Sequence, residues 1–316
     1  MTSATHGARS APIGAVERDT GLSKDTLRVW ERRYGFPRPE RDPLGERRYS
    51  VEDIAKLRVI KRLIDQGHRP GKIIELPAAE LQQLAQQRRA VRKGARVNGE
   101  PALSEQRADL HELLALVKTH QIEAVRNRFG QLVMQLGLGR FVTSVVAPLN
   151  DLVGDAWMRG GFEVFEEHLY TEAVQVALRN AIHTMPQVQR RPQVLLTTFP
   201  QESHGIGILM AEAMLSLEGC RCVSLGTRTP IPDIVRAVGA HKSDVVALSF
   251  SSRLGPNPVL DGLAELCAKL PAATEIWAGG ACQVLHQRPP SQVRTFKSLD
   301  TIAPAVAQWR VAHAVT

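Results

Sequence analysis

Residues 13–39 read IGAVERDTGLSKDTLRVWERRYGFPRP, and their pattern decides how the first third of the chain folds. Val16 and Leu22 flank a short polar segment in which Gly21 suits a tight turn between two helices. Ser23 stands where an N-cap belongs, Lys24 to Tyr34 read as a second helix, and Pro37 ends the run. Leu27 and Trp30 face inward at helical spacing, while Arg28, Arg32 and Arg33 project outward. A short helix, a glycine turn and a second helix with outward arginines form the helix-turn-helix pattern, whose second helix enters the major groove of DNA.

Outward from this stretch, ERDPLGERRYS occupies 40–50. Asp42, Pro43 and Gly45 make a turn between two short extended arms, as a winged hairpin requires, and Arg47 and Arg48 lie at its base within reach of phosphates or the minor groove. Ser50 caps the next helix, VEDIAKLRVIKRLIDQG, whose Ile54, Leu57, Ile60 and Ile64 form a buried face and which Gly67 closes. Pro70 to Leu84 gives one more short helix. Charge agrees with a nucleic-acid reader: the chain carries +8, and residues 1–100 hold 21 Lys+Arg against 13 Asp+Glu, so the whole excess lies there. The 316 residues suffice for two or three domains, and 43% hydrophobic with 23% charged is the balance of an ordinary globular protein. No apolar run approaches the roughly 18 residues of a bilayer span, and the first residues lack a secretory h-region. The expectation is a cytoplasmic, nucleoid-associated protein with no membrane partner. Cys220, Cys222, Cys267 and Cys282 lack zinc-ribbon spacing and read as reduced thiols.

TLRVWERRYGFPRP, with RRYS and a helix after it, resembles the DNA-binding domain of MerR-type transcription regulators over about residues 10–85. The resemblance implies that the helix around Arg28 reads the major groove of double-stranded promoter DNA and that the wing arginine and tyrosine contact the backbone. It assigns DNA binding to Arg28, Arg33, Tyr34, Arg47, Arg48 and Tyr49; Trp30 reads as core. Simple members continue into a long coiled-coil helix. Here residues 86–106, QQRRAVRKGARVNGEPALSEQ, are basic, contain glycine and lack heptads, which reads as a flexible linker. Self-assembly must then come from the residues after 106.

Between 107 and 190, Leu110, Leu113, Leu114 and Val117 form one apolar stripe; Ile122, Val125, Phe129, Leu132, Val133 and Leu136 form a second. Phe141–Ala156 and Glu166–Met185 supply two more, with breaks at Gly137, Gly139 and Gly160–Gly161, giving a four-helix bundle. From 191 to 316 the pattern changes. QVLLTT, RCVSLG, DVVALSF and EIWAGG are short strand-like runs separated by helical stretches at Ile206–Leu217, Pro230–Ala240, Pro258–Leu270 and Asp300–Ala312. That alternation predicts a doubly wound, Rossmann-like parallel sheet, so the fold class is multidomain α and α/β. Ligands in such sheets bind at the carboxyl ends of the strands.

The first such loop, FPQESHGIG, holds Glu202, His204 and Gly207 in an E-x-H-x-x-G pattern, with Glu202 suited to accept from the second ring nitrogen of a metal-bound imidazole. Ser249 ends the third strand run, and Gly279–Gly280 end the fourth. With these spacings the pattern resembles the cobalamin-binding domain shared by methionine synthase and the mutases, whose motif is D-x-H-x-x-G, then S-x-L, then G-G. The resemblance implies that His204 is the lower cobalt ligand, with Glu202, Gly207, Ser249, Gly279 and Gly280 around the displaced nucleotide tail. Glu202 stands for the family's aspartate and Ser251 for its leucine.

Within the bundle, WMRGGFEVFEEH puts nine residues between Trp157 and Glu167–His168. This signature, beside the cobalamin motif and behind the basic head, resembles the CarH/LitR family of light-sensing regulators across nearly the whole chain. The family reading implies a repressor, not an enzyme, that binds promoter DNA as an adenosylcobalamin-dependent homo-oligomer (a tetramer) in the dark and is released by photolysis. Trp157 and Glu167 would then enclose the adenosyl group. Well-known members carry a histidine directly after the tryptophan as the upper ligand after light; here that position is Met158, a poor ligand for oxidised cobalt. His168 or water would take its place, and the illuminated protein is expected to lack a bis-imidazole spectrum. The alternatives are a regulator sensing cobalamin or another tetrapyrrole without that photochemistry, and a corrinoid carrier or enzyme. The last needs a substrate-activating barrel that the chain length leaves no room for. His183, His241 and His286 have no partners at ligand spacing.

Overall fold

The structure is a computed structural model that describes residues 10–65, 68–81, 83–84, 100–158, 161–186, 190–288 and 290–314. The chain divides into two compact units, one of Met1–Gly99 with Asp155–Gly161, the other of Glu100–Gly154 with Phe162–Thr316.

In the first unit, β1 (Ala11–Pro12) leads into α1 (Ile13–Thr20) and α2 (Lys24–Tyr34); β2 (Glu40–Arg41) and β3 (Arg47–Tyr49) form the wing, and α3 (Val51–Asp65) and α4 (Pro70–Ile73) complete it. Gly21 ends α1 at φ 69, where a side chain would be strained. The Ser23 hydroxyl caps α2 by accepting from the Thr26 N–H at 3.1 Å. The wing strands form a three-stranded antiparallel sheet in the order β1-β3-β2. Val16, Leu27, Trp30, Tyr49, Leu57, Ile60 and Leu63 close the core between helices and sheet. The helix expected over Pro70–Leu84 is interrupted: α4 stops at Ile73, and Pro77, which has no N–H to donate, stands before the next helical residues. Gly67 lies outside the described residues.

The second unit opens with α5 (Glu100–Lys118), α6 (Ile122–Arg140), a π-helical turn (Phe141–Val146), α7 (Ala147–Met158), whose last residues from Asp155 fall in the first unit, and α8 (Val164–His183). Of the linker expected over 86–106, residues 100–106 are helical, since α5 already starts at Glu100. Pro101 in its first turn and the helix formers Ala102, Leu103, Glu105 and Gln106 account for this; residues 85–99 lie outside the described residues. Gly137 does break helical geometry (φ 74, ψ 158), but the chain re-enters a helix at once. The result corrects the expectation about long apolar runs: Ile122–Trp157 is one helical stretch of 36 residues holding an 18-residue window of mean hydropathy 1.5, long and apolar enough to cross a membrane by length and composition. Of that window, 39% is buried inside the protein. Phe141, Val142, Val145, Val146 and Leu149 are buried, and Phe129 and Phe141 meet edge to face at 5.6 Å.

Behind the helices, β4 (Arg190–Thr197), β5 (Cys220–Gly226), β6 (Val245–Phe250), β7 (Glu275–Gly280) and β8 (Val293–Phe296) form a parallel sheet in the order β5-β4-β6-β7-β8. Alternation along β4 decides the two faces. Val194 and Leu196 pack with Ile208 and Leu215 of α9 (Ile206–Leu217) and Ile302 and Val306 of α13 (Ile302–Ala312). Leu195 faces the other way, toward Ile234 and Val238 of α10 (Ile231–His241) and Val259, Leu263 and Leu266 of α11 (Pro256–Lys269). The order reverses between β4 and β6, so the crevice at their carboxyl ends is the topological switch point. β8 was not among the four expected runs, and between it and β7 lies the short α12 (Val284–Gln287).

Candidate DNA interface and cofactor site

On the first unit, α2 carries Arg28 and Arg33 on its open face. Arg28 pairs with Asp25 one turn back, at 3.2 Å, and the Arg33 guanidinium lies 5.3 Å over the Tyr34 ring. The two wing arginines are held more firmly. Arg47 donates from Nε to the Glu31 carboxylate of α2 at 2.8 Å, a bond that raises the guanidinium pKa further, with burial opposing it. Arg48 donates to the Ser10 carbonyl at 3.0 Å. The Arg47 bond fixes the wing against the recognition helix and the Arg48 bond ties it to Ser10, and each guanidinium keeps further N–H donors for phosphate. Tyr49 requires a correction. It is fully buried, its hydroxyl has no partner among the described residues, and burial pushes its pKa up; it anchors the wing to the core rather than facing DNA. The inward side of β3 claimed it because a large aromatic fills the gap between sheet and α3.

At the switch point of the second unit, the loop from β4 to α9 presents His204, whose side chain is 40% exposed, beside Glu202, which is only 2% exposed. One Glu202 oxygen, Oε1, accepts from His204 Nδ1 at 2.6 Å and from the His204 backbone N–H at 2.9 Å; Oε2 accepts from the Ser251 N–H at 2.7 Å. Burial alone would raise the Glu202 carboxyl, yet these hydrogen bonds outweigh it and hold the group below the usual carboxylate range. An ionised carboxylate has no proton to give, so Nδ1 carries the hydrogen toward Glu202, which leaves Nε2 as the ring nitrogen a metal would take. The Thr198 hydroxyl donates to the Glu202 carbonyl at 2.7 Å and accepts from the Arg228 N–H at 2.9 Å, bracing the loop from beneath.

The remaining predicted residues of the sheet gather here. Ser249 and Gly279 are register partners on β6 and β7, as are Phe250 and Gly280. Gly207, in the first turn of α9, comes so near that a Cβ added to it would meet the Ser249 Oγ at 2.4 Å. Among the described residues no three His, Cys, Asp or Glu side chains converge as a metal cage. A lone, braced imidazole suits a metal whose other positions are already filled by a macrocycle, so this donor set fits the cobalt corrinoid implied by the motif.

The bundle residues are less concentrated. Glu167 accepts from the Thr171 hydroxyl at 2.8 Å, and His168 is 72% exposed with Nε2 3.7 Å from Glu167 Oε2. Trp157 is buried and belongs to the first unit, where the Arg58 guanidinium sits 4.8 Å over its ring. Met158 ends α7. Two features escaped sequence reading. Buried Glu166 takes a hydrogen bond from the Glu163 N–H at 2.7 Å and lies 3.0 Å from His120 Nε2. Glu212 is an acid within the apolar run ILMAEAML of α9, and that placement was its signal.

Residues 11–80 match the MerR HTH family regulatory protein family. The HTH-type transcriptional repressor CarH of Myxococcus xanthus is 32% identical over 279 residues, spanning 88% of this chain and 91% of that protein. The HTH-type transcriptional repressor CarA of the same organism is 28% identical over 281 residues, or 82% and 84% of the two chains. Among solved structures, the monomethylamine corrinoid protein of Methanosarcina barkeri covers 65% of this chain and 97% of its own with TM-score 0.49 and 18% identity, a likeness too low to bear on ligand or activity. With a winged helix-turn-helix in front, a parallel sheet behind and about a third of its residues shared with CarH along nearly all of both sequences, the chain belongs to the family of MerR-type transcription regulators that includes CarH.

Proposed function

We propose that the chain is a light-responsive transcriptional repressor of the cytoplasm that holds adenosylcobalamin and binds promoter DNA as a homo-oligomer in the dark. The observation that carries the reading is His204, its Nδ1 tied to a buried carboxylate, its side chain 40% exposed and its Nε2 outside that bond. When bound, the cofactor supplies a cobalt–carbon bond that light can break. The chain's own residues do the rest. Glu202 keeps the imidazole in the tautomer and orientation of a ligand, and Gly207, Ser249, Gly279 and Gly280 shape the strand ends beside it. Trp157 and Glu167 would cover the opposite side of the ring. Arg28, Arg33, Tyr34, Arg47 and Arg48 would meet the DNA, with Arg47 also holding the wing to the recognition helix through Glu31. Residues 1–85 would then read DNA, 86–99 tether, the helices to 190 cap, and 191–316 hold the cofactor. Several weak heads joined in one assembly bind far better than one, so loss of assembly is enough to release DNA.

The test is the absorption spectrum of purified protein with adenosylcobalamin in the dark and after illumination, recorded alongside oligomer size and promoter binding. An oligomer and a DNA complex that ignore light would refute the photoreceptor. An unchanged dark spectrum in His204→Ala would refute the ligand assignment. A second reading, a sensor of cobalamin or another tetrapyrrole with altered or absent photochemistry, is favoured by one observation: Met158 stands directly after Trp157, and the nearest histidine in sequence, His168, is held loosely at the surface. It predicts no bis-imidazole spectrum after illumination; one that survives His168→Ala would overturn it.

A further inference from the structure

Between α8, α9 and the end of β5 lies a cavity of about 180 Å³ that the roles above do not use. Ser203 and Gly205, the two chain neighbours of His204, line it, so whatever His204 holds lies beside it. Ile208 and Leu209 make it apolar on one side; Gln175, Glu212, Ser224 and Thr227 make it polar on the other. At about 30 Å³ for each water-sized group it has room for roughly six heavy atoms.

We propose that this cavity receives one carbamoyl arm from the edge of the ligand and that Glu212 selects against a carboxylate arm. The inference rests on the reading of His204 as the residue that holds a macrocycle, and it says which kind. A primary amide both donates and accepts, and the Gln175 amide and the Ser224 and Thr227 hydroxyls do the same, so every polar atom of such an arm has a complement. A carboxylate accepts only, and it would face Glu212. Burial pushes the Glu212 carboxyl up, with the Arg179 charge and a hydrogen bond to Ser224 drawing it partway back, so the site already resists one negative charge and a second is worse. Arg179 also lines the cavity, but it is an exposed side chain whose charge water screens, so it offsets the conflict only in part. Corrinoids carry carbamoyl arms around their rim, whereas haems and bilins carry carboxylates. The cavity therefore favours a corrinoid over another tetrapyrrole.

The experiment is a dark absorbance titration of the full-length chain with adenosylcobalamin, with its separate monocarboxylate derivatives (one rim amide hydrolysed in each) and with haem. At least one monocarboxylate should bind the wild-type chain about tenfold more weakly than the parent, a small part of what facing like charges can cost. Glu212→Gln should recover most of that loss, and Gln175→Ala should weaken the parent without helping the acid. Equal affinity for the parent and every monocarboxylate, an unchanged ratio in Glu212→Gln, or haem binding as tight as adenosylcobalamin would overturn the proposal. Failure of the underlying reading looks different: His204→Ala would bind like the wild-type chain, or no cobalamin would bind at all, and the inference would fall with it.

Discussion

Two adjacent glycines at the end of β7 have opposite tolerances, which separates the fold from the cofactor. Gly280 has φ 113, and a Cβ there would meet the Phe250 carbonyl oxygen at 2.2 Å and its nitrogen at 2.9 Å. Both are backbone atoms of the neighbouring strand, so no rotamer change relieves the contact. Overpacking of this kind costs about 1–3 kcal/mol, and holding a non-glycine residue in this backbone region costs about 1–3 kcal/mol more. Gly280→Ala should thus destabilise the second unit by about 2–6 kcal/mol, which for a unit of its size lowers the melting temperature by roughly 4–24 °C. At Gly279 the nearest neighbour of an added Cβ is the Phe296 Cβ at 3.5 Å, an ordinary contact, and φ is not positive. Gly279→Ala should melt within about 1 kcal/mol of the parent. Circular dichroism melts of both variants without cofactor decide the matter. Coincident melts, or Gly280→Ala melting with the wild-type chain, would refute the steric argument. If it holds, Gly279→Ala becomes the cleaner probe of cobalamin affinity, because its fold is intact.

Arg28→Ala should weaken binding to the promoter site by about 1–3 kcal/mol more than binding to unrelated DNA, with the melt unchanged; Arg47→Ala should instead cost about 1 kcal/mol of stability through the lost Glu31 bond, and gel-shift titrations on both DNAs plus melts separate the two. Tyr49→Phe should leave DNA binding unchanged and melt at or slightly above the wild-type temperature, because its hydroxyl is buried and unpaired; a large loss of DNA affinity would restore Tyr49 to the interface. The Glu202 carboxyl is held below its ordinary 4.5, so its contribution to stability is complete above that pH and fades as the pH falls through the lower folded value. Urea midpoints measured from about pH 3 to 7 should fall at the acid end for the wild-type chain and less steeply for Glu202→Gln.

The helix-turn-helix was legible because its determinants are local: Gly21 turns, Ser23 caps, and Leu27 with Trp30 defines a face within eleven residues. The sheet was legible from continuous valine and leucine runs, which only strands covered on both faces need. β8 was missed because an edge strand of four residues, VRTF, carries too little apolar signal. The continuity of the long helical stretch was missed because Gly137 carries the mark of a helix end, while what overrides it, the burial of Phe141 and Val142, lies beyond the break. Tyr49 shows the same limit from the other side. Residue type made it a candidate for the DNA, and only tertiary packing decides which face of a three-residue strand is inward. His204 and Glu202 were readable as a pair, but not that the second carboxylate oxygen reaches Ser251.

That reach bears on how freely the loop after β6 can change its sequence. Glu202 takes from position 251 a backbone N–H and nothing from its side chain. Serine there instead of leucine leaves the bracing of His204 as it was, and almost any residue would do the same. Proline is the exception, since it has no N–H to offer. A position that looks variable by side chain is therefore constrained by what every residue but one supplies, and a survey of tolerated substitutions at 251 should be permissive everywhere except there.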